Sequence, residues 1–289
     1  MIDFSKVGIS IDFPSLRILV IGGNGYFGSK LVQALLNQGC ERVSVLDLAP
    51  KSLFHDNQRV QYIRGDICDE EVVKRACEGI EVICHTASHF GDPPFGSFGK
   101  GEKEWRVNVI GTRVVLQVAK SSGVKYFIYI SSSSAVFSGE KPLYNASEEV
   151  SYPTSHIDHY GKAKEVAEKE VKLANDLKNN FLTLVLRPNG IYGEDELLHI
   201  PRIVSTCQKI GGMYLFKFNS SHRSDWTFVD NLIYAFFLAL QQFEQKKDLI
   251  SGNVYNITDG EALGLALDLI IIYLKSFETF FCSYSFFFF

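Results

Sequence analysis

Short runs of β-branched and aromatic residues alternate along the chain with longer stretches that have helical periodicity. The short apolar runs predict strands over residues 17–21, 43–47, 60–63, 82–85, 126–130, 182–187 and 254–257. The periodic stretches predict one helix that contains Leu31, Leu35 and Leu36, and further helices over about 70–77, 104–121, 159–177 and 230–243. This alternation is typical of βαβ units. It predicts an α/β protein with a Rossmann-type doubly wound parallel sheet.

The pattern becomes looser after Pro188, which we expect to end the sixth strand. We divide the chain into a nucleotide-binding core over residues 15–187 and a substrate-binding region over residues 188–289. The second region is mixed with late core elements, because strand 254–257 belongs to the core. The apolar segment 262–274 is short of the ~20 residues that a bilayer span needs, so we expect a buried helix there.

The end of the chain has neither helical nor strand periodicity. Four phenylalanines close it as Phe286 to Phe289. We interpret the tail over about 276–289 as an aberrant gene end, and we expect the substrate region to be small and truncated. Exposed phenylalanines would favour aggregation or contact with a membrane surface.

Composition and charge narrow the class of protein. The 289 residues are 46% hydrophobic and 21% charged, as in globular proteins. The net charge is −4 and no lysine or arginine run occurs, which argues against nucleic-acid binding. The six cysteines have no metal-binding spacing, so we expect free thiols and no metal site. The N-terminus lacks a secretory signal, and we therefore expect a protein that is not secreted.

A glycine pattern lies between the first strand and the first helix. Gly22, Gly25 and Gly28 allow the tight turn and the close backbone approach that a bound pyrophosphate requires. Asp47 ends the second strand 19 residues after Gly28, where a carboxylate accepts ribose hydroxyls and repels a 2′-phosphate. The pattern therefore predicts NAD in preference to NADP. Asp66 follows the third strand, where it is either an acceptor for the adenine amino group or an ordinary turn residue.

A second set of residues points to hydride chemistry. Tyr160 and Lys164 are four residues apart at the start of a predicted helix and so share one face. We expect the Lys164 ammonium, with the positive charge of an oxidised nicotinamide, to lower the pKa of the Tyr160 phenol and make it a general base. Ser131 to Ser134 follow the fifth strand at the edge where such sheets bind ligands, and a serine hydroxyl there would orient a substrate oxygen.

Together these features resemble the extended short-chain dehydrogenases/reductases. More narrowly, the chain is similar to the 3β-hydroxysteroid dehydrogenase family, including the sterol-4α-carboxylate 3-dehydrogenases (decarboxylating). The resemblance covers about residues 15–260. Its motifs are the segments 21–28, 65–67, 85–88, 108–112, 160–164, 187–193 and 228–231.

The resemblance implies a role for each matching residue. Tyr160 would be the catalytic base and Lys164 would lower its pKa while binding the nicotinamide ribose. The family's catalytic serine falls on Ser132 when counted from the fifth strand, and Ser133 is one step away. The residues expected to bind the cofactor are Gly22, Gly25, Tyr26, Phe27, Gly28, Asp47, Asp66, Ile67, Ala87, Tyr160, Lys164 and Pro188.

The function that the resemblance implies is NAD-dependent oxidation of the 3β-hydroxyl of a steroid or sterol, or of a 4-carboxysterol with decarboxylation. One alternative is a nucleotide-sugar epimerase or dehydratase, although Ser224 stands where those enzymes present an arginine to the substrate diphosphate and Arg223 is displaced by one. The other alternative is a truncated cofactor-binding protein without turnover. Aromatic residues in the candidate substrate segments suit an apolar ligand: Phe90, Phe95, Phe98, Tyr214, Phe216, Phe218 and Trp226.

Two expectations concern the surroundings of the protein. We expect a homodimer, and contact with a membrane surface through the C-terminal end. We place the protein in the cytoplasm or on the cytoplasmic face of the endoplasmic reticulum membrane.

Overall fold

Seven parallel strands form the central sheet of the computed structural model, which describes residues 9–91, 100–196 and 223–260 and the backbone of 263–264. In chain order the strands are β1 Ile18–Ile21, β2 Val43–Asp47, β3 Val60–Arg64, β4 Val82–His85, β5 Tyr126–Ile130, β6 Leu182–Pro188, β7 Gly190–Tyr192, β8 Arg223–Ser224, β9 Trp226–Phe228, β10 Val254–Ile257 and β11 Leu263–Gly264. The central sheet has the order β10-β6-β5-β4-β1-β2-β3. All of its neighbouring pairs are parallel, so the predicted doubly wound sheet is confirmed.

Helices cover both faces of this sheet. They are α1 Tyr26–Asn37, α2 Glu70–Cys77, α3 Glu102–Trp105, α4 Thr112–Ser121, α5 His159–Ala174 and α6 Val229–Ile250. Helices α1 and α6 supply Leu31 and Phe236 to the core on one face. Helices α2, α4 and α5 supply Val73, Val115 and Ala167 to the core on the other face. Because both faces are covered, the central strands are continuous apolar runs, which is why their bounds could be predicted from the sequence.

The helix predicted over 104–121 is interrupted by a π-helical turn. Helix α3 begins at Glu102, residues Arg106–Gly111 form the π turn, and α4 continues from Thr112. Inside the turn the side chain of the buried Asn108 bonds both the N–H and the carbonyl of His89. The backbone carbonyl of Asn108 accepts a hydrogen bond from the Thr112 hydroxyl at 2.8 Å. A π turn inside a helix frequently marks a functional site.

Other boundaries differ from the prediction for local reasons. Helix α5 ends at Ala174 because the Asn175 side chain accepts the Thr183 N–H at 2.9 Å, which turns the chain toward β6. Pro188 is the last residue of β6 rather than the residue beyond it, and it pairs with Ile257 of β10. Helix α6 continues to Ile250, beyond its predicted end at residue 243.

The predicted buried helix over 262–274 is wrong at its start. Leu263 and Gly264 form β11, which pairs antiparallel with β8. The remainder of that segment lies outside the described residues, as do residues 214–218 and the phenylalanine-rich tail. Residues 190–192 and 226–228 add a small parallel pair, β7 with β9, that was not predicted.

Helix α5 is joined to the sheet by a buried ionic network. The Glu168 carboxylate, fully buried, is paired with the Arg187 guanidinium of β6. It also accepts the hydroxyls of Ser131 at 2.6 Å and Tyr152 at 2.8 Å, and Arg187 donates to Asn256 of β10 at 3.2 Å. Charged groups of this kind are stable in an interior only when every partner is present.

Glu168→Gln is therefore expected to lower the free energy of unfolding by about 3–5 kcal/mol, because it leaves the buried Arg187 cation without an anionic partner. Glu170→Gln is the matched control. Its carboxylate lies two residues along the same helix and pairs with the half-exposed Arg113. We expect that control to cost less than about 1 kcal/mol. Denaturant unfolding of the two variants measures the difference, and equal losses would contradict the role of the buried pair.

Candidate active site

The glycine turn after β1 is built for close approach of backbone atoms. Gly22 has φ of +85°, a conformation that favours glycine, and a Cβ atom there would stand 2.7 Å from the Ala87 nitrogen. A Cβ on Gly28 would stand 2.1 Å from the Gly22 carbonyl oxygen. Gly25 caps α1 without any side-chain bond to the first N–H groups of that helix. This glycine turn and the first N–H groups of α1, called the cradle below, therefore fit an anion such as a pyrophosphate.

Asp47 lies beside this cradle at the end of β2. Its two carboxylate oxygens accept the N–H groups of Asn24 at 2.9 Å and Ala49 at 3.0 Å, which fixes the side chain in place. The Asn24 side chain in turn donates to the Lys51 carbonyl at 2.9 Å and accepts the Leu53 N–H at 3.1 Å. Asn24 was not among the predicted site residues, although it stands inside the glycine pattern. It ties the glycine turn to the loop that follows Asp47.

Asp66 already has protein partners. One oxygen accepts the Cys68 N–H at 2.9 Å and the other accepts the Arg106 guanidinium at 2.7 Å. Partial burial opposes ionisation, but these bonds hold the pKa of the Asp66 carboxyl below its ordinary value. An adenine amino group would share this carboxylate with Arg106.

The remaining predicted cofactor residues differ in what their side chains do. Phe27 and Ile67 are buried in the two cores, so their side chains do not line the turn. Tyr26 is partly buried, and a Cβ on Gly193 would stand 2.8 Å from its hydroxyl oxygen. Ala87 packs against Gly22, and Pro188 is buried at the end of β6.

Two hydroxyl groups contact the Tyr160 phenol, those of Ser132 and Ser88. Tyr160 lies in the first turn of α5, which Asp158 begins by accepting the Gly161 N–H at 2.8 Å. Ser132 follows β5, and its oxygen accepts the Ser134 N–H at 3.2 Å. The structure therefore brings together two of the three residues predicted for the chemistry, and it adds Ser88 after β4, which was not predicted as a site residue.

The neighbouring serines do not have equivalent positions. The Ser131 hydroxyl is buried and donates to the Glu168 carboxylate at 2.6 Å. Ser133 begins a short 3₁₀ turn, Ser133–Ala135. Within the described residues, the member of this run whose hydroxyl contacts the Tyr160 phenol is Ser132.

Lys164 lies beneath Tyr160 and is almost completely buried. Its ammonium donates to the Ile130 carbonyl at 2.8 Å and lies 5.8 Å from the centre of the Tyr160 ring. Burial lowers the pKa of Lys164 to about 7, and the nearby Glu168 carboxylate opposes that decrease. Burial therefore weakens the protonation of this side chain.

In the protein without a cofactor, the pKa of Tyr160 is raised above its ordinary value. Burial raises it to about 12, while the Ser132 and Ser88 hydroxyls act to lower it and the Asp158 charge acts to raise it. The expected decrease involves Lys164 together with an oxidised nicotinamide, so it stays a prediction for the complex, whereas in the protein alone burial outweighs the two hydroxyl contacts. The lysine is anchored on Ile130, and its own protonation is weakened by burial. A phenolate at neutral pH requires additional positive charge in the site.

Two of the aromatic side chains predicted to line the substrate region lie within the described residues, and one of them, Phe90, contacts Tyr160. The Phe90 ring packs edge-on against Tyr160 with 4.7 Å between ring centres. The Trp226 ring lies over Gly190, where a Cβ would approach it to 2.4 Å. Phe95, Phe98, Tyr214, Phe216, Phe218 and the side chain of Arg223 lie outside the described residues.

A buried histidine supports the floor of the site. The Thr112 hydroxyl gives its proton to the Asn108 carbonyl, so the His85 Nε2 atom donates to the Thr112 oxygen at 2.9 Å. Burial lowers the pKa of His85 to about 3, and the positive charge of Lys164 adds to the effect. His85 therefore remains neutral at physiological pH.

A nucleotide cradle at the carboxyl edge of a doubly wound sheet, with Ser132, Tyr160 and Lys164 beside it, is typical of the extended short-chain dehydrogenases/reductases. Residues 19–280 match the family model described as the 3-beta hydroxysteroid dehydrogenase/isomerase family. The chain belongs to that family.

Curated relatives carry names from sterol metabolism. The chain is 35% identical to the Mus musculus sterol-4-alpha-carboxylate 3-dehydrogenase, decarboxylating, over 86% of this chain and 65% of the mouse protein. It is 32% identical to the corresponding Candida albicans protein, over 84% of this chain and 70% of the relative. The chain thus spans about two thirds of the length of these relatives.

Solved structures share the fold. A UDP-glucose 4-epimerase from Thermotoga maritima superposes with a TM-score of 0.73 at 23% identity, over 93% of this chain and 84% of the epimerase. The dTDP-glucose 4,6-dehydratase DesIV from Streptomyces venezuelae gives a TM-score of 0.73 at 22% identity, over 90% and 81% of the two chains. At these identities the likeness defines the architecture alone.

The described residues contain neither a membrane-spanning helix nor a cluster of metal-binding side chains. Across those residues, none of the helices is long and apolar enough to cross a membrane. Within the same ranges, no group of three or more His, Cys, Asp or Glu side chains is placed to hold a metal ion.

The low pKa of His85 makes the folded protein sensitive to acid. An unfolded histidine binds a proton near pH 6.5 and the buried one near pH 3, so the unfolded state holds more protons between these values and stability falls as pH falls through this window. From pH 7 to pH 5 we expect this residue to remove about 2 kcal/mol from the free energy of unfolding.

His85→Gln should therefore reduce the loss of stability between pH 7 and pH 5, as measured by denaturant unfolding at both values. His55→Gln is the control, since His55 is half-exposed beside Asp56. An unchanged pH dependence in His85→Gln would show that the buried imidazole does not carry the effect.

Proposed function

We propose that the protein oxidises the 3β-hydroxyl of a steroid or sterol with NAD as the hydride acceptor. The observation that carries the proposal is the Tyr160 phenol, contacted by Ser132 and placed above Lys164 at the carboxyl edge of the sheet, in a chain that belongs to the 3-beta hydroxysteroid dehydrogenase/isomerase family. The names of the mouse and Candida albicans relatives, both sterol-4-alpha-carboxylate 3-dehydrogenases, support this substrate class.

In the proposed reaction Tyr160 takes the proton of the substrate hydroxyl while Ser132 holds the substrate oxygen. When bound, NAD accepts the hydride from the carbon that carries this hydroxyl, and its charge offsets the burial that disfavours the phenolate. Lys164 keeps the floor of the site electropositive when protonated. Gly22, Gly28 and Asp47 would hold the nucleotide.

An apolar substrate suits the aromatic side chain that packs on Tyr160 and the further aromatic side chain in β9. Phe90 lies against Tyr160, and Trp226 covers the start of the segment after β6. Flat apolar surfaces beside one hydrogen-bonding group suit a sterol ring system that presents one hydroxyl. If the substrate carries a 4-carboxylate, oxidation at C3 creates a β-keto acid, which loses CO₂ without a dedicated base.

Two alternative functions can be distinguished from sterol oxidation by their substrates. A nucleotide-sugar epimerase or dehydratase would share this fold, as the solved structures do, but it would act on a sugar diphosphate. A cofactor-binding protein without turnover would bind NAD and oxidise nothing. Membrane-surface contact, a homodimer and attachment to the endoplasmic reticulum also remain predictions.

The geometry at Asp47 predicts the choice of cofactor. Its carboxylate is fixed at the end of β2, where it would meet the adenosine ribose, so NAD should bind at least about tenfold more tightly than NADP, or ~1.4 kcal/mol. Asp47→Ala should reduce this preference, and Asp56→Ala, an exposed carboxylate beyond the same loop, should not. Calorimetric titration with each nucleotide gives the ratio. Equal affinities in the parent protein would overturn the assignment.

The chemistry is expected to depend on Tyr160. Tyr160→Phe keeps the ring that packs on Phe90 and removes only the hydroxyl, so the rate of sterol oxidation should fall by about 10²–10⁴ while NAD affinity barely changes. Lys164→Ala should lower both, and Ser132→Ala should reduce turnover more than Ser133→Ala. Tyr144→Phe, on a largely exposed tyrosine, is the control.

The assay should offer 3β-hydroxysteroids, 4-carboxysterols and UDP-sugars in parallel with NAD, and follow NADH formation and product masses. Turnover of UDP-sugars alone would reject the substrate class. NAD binding without turnover of any of them would support the non-catalytic alternative. Full activity in Tyr160→Phe would reject the mechanism.

A further inference from the structure

We propose that Ser88 is a further catalytic residue, a second hydroxyl on the Tyr160 phenol whose hydrogen bond reverses direction when that phenol loses its proton. The inference rests on the proposed function, in which Tyr160 is the base. It concerns a residue that follows β4, on a different strand from Ser132.

The segment after β4 is held against Tyr160 at two points. The Ser88 hydroxyl contacts the phenol, and the Phe90 ring packs on the Tyr160 ring with 4.7 Å between centres. Since β4 and β5 are neighbours in the sheet, their carboxyl ends deliver Ser88 and Ser132 to the same phenol oxygen.

Asn108 determines which way the Ser88 proton points. The Asn108 Nδ2 group donates to the His89 carbonyl at 2.9 Å, and the Oδ1 atom accepts the His89 N–H at 2.8 Å. These two backbone bonds fix the orientation of the amide, because a carbonyl only accepts and an N–H only donates. The oxygen that lies 3.1 Å from the Ser88 hydroxyl is therefore an acceptor, and Ser88 donates its proton to it.

The two serines consequently have different roles toward the neutral phenol. A serine hydroxyl has one proton, and that of Ser88 is directed to Asn108, so Ser88 accepts the hydrogen bond of the Tyr160 hydroxyl. The Ser132 oxygen accepts the Ser134 N–H, which leaves the Ser132 proton available for the phenol oxygen or for a substrate oxygen. Ser88 thereby directs the phenol proton away from the position that a substrate oxygen would share with Ser132.

Ionisation of Tyr160 reverses the bond to Ser88. A phenolate only accepts, so the Ser88 hydroxyl rotates about its Cβ–Oγ bond and donates to the phenolate oxygen. Asn108 Oδ1 still has the His89 N–H, so the rotation leaves no orphaned acceptor. A hydrogen bond to a charged oxygen is roughly twice as strong as a neutral one, so the bond to the phenolate offsets the two neutral bonds that the rotation gives up. Without the Ser88 hydroxyl both forms of Tyr160 lose a partner, and the loss costs the buried phenolate more than the neutral phenol.

The same rotation runs backward during the reaction. The proton of the substrate hydroxyl passes to the phenolate oxygen. The Ser88 hydroxyl then rotates back, donates its hydrogen bond to Asn108 again and accepts a hydrogen bond from the new phenol hydroxyl. No proton is lost or gained by Ser88. Asn108 stands in the π-helical turn, where the wider turn accommodates a side chain that bonds a neighbouring loop.

The first test is the pH dependence of kcat/KM for sterol oxidation with NAD. Ser88→Ala should shift the alkaline-rising limb upward by about one pH unit, which is on the order of tenfold in rate at neutral pH. Ser88→Thr, which keeps a hydroxyl, should restore most of the activity and the profile. Ser121→Ala is the control, because that hydroxyl bonds the Val118 carbonyl at the end of α4. A uniform loss of activity with an unshifted profile would assign Ser88 a merely structural role and overturn the proposal.

The second test needs neither substrate nor turnover, so it separates the proposal from the proposed function. Difluorotyrosine placed at position 160 lowers the phenol pKa into a range where the protein is folded, and fluorine NMR follows its ionisation. In the Ser88→Ala background that pKa should rise by about one unit, and in Ser121→Ala it should not change. Equal values with and without Ser88, or a phenol that remains neutral in both, would reject the role of Ser88 whatever the sterol assay shows.

Discussion

The position of helix α5, which carries Tyr160, depends on charged side chains that are buried against the sheet. Its inward face has small residues such as Ala163 and Ala167, which let the helix approach closely, together with Lys164 and Glu168. Lys164 bonds the last carbonyl of β5, and Glu168 pairs with Arg187 of β6. Apolar packing tolerates a small rotation of a helix, whereas these directional bonds do not, and so they fix the face on which Tyr160 stands.

The same arrangement opposes ionisation of Tyr160 in the protein alone. The interior that holds Lys164 also weakens its protonation, and Tyr160 is held with a raised pKa. A further positive charge in the site would lower the pKa of Tyr160 and favour its phenolate. A base that forms only in the presence of such a charge avoids keeping an unpaired phenolate buried beside Phe90.

Much of the fold could be predicted from the sequence, because buried parallel strands are continuous apolar runs and Gly22 and Gly28 stand in a recognisable turn. The bounds of β2, β4 and β5 were correct to the residue. The candidate Tyr160–Lys164 pair was also visible, since it depends on a spacing of four along one helix.

What could not be predicted depends on contacts between distant segments. Ser88 meets Asn108 across 20 residues and Asn24 meets Asp47 across 23, and neither contact has a local sequence pattern. The π turn was missed because its residues have ordinary helical composition. The burial that raises the pKa of Tyr160 in the protein alone could not be predicted, because spacing along a helix does not report how deeply a group is buried.

The hydrogen bonds by which Asn24 joins the glycine turn to the loop after β2 affect the kinetics of cofactor binding. The loop from Ala49 to Leu53 is tied down by hydrogen bonds to Asn24 and Tyr62, with no nucleotide needed to order it. A nucleotide therefore meets a rigid docking edge and gives up little of its binding energy to organise the protein. Such a surface binds in a single encounter rather than by slow closure, which suits a cofactor that must arrive and leave once in every turnover.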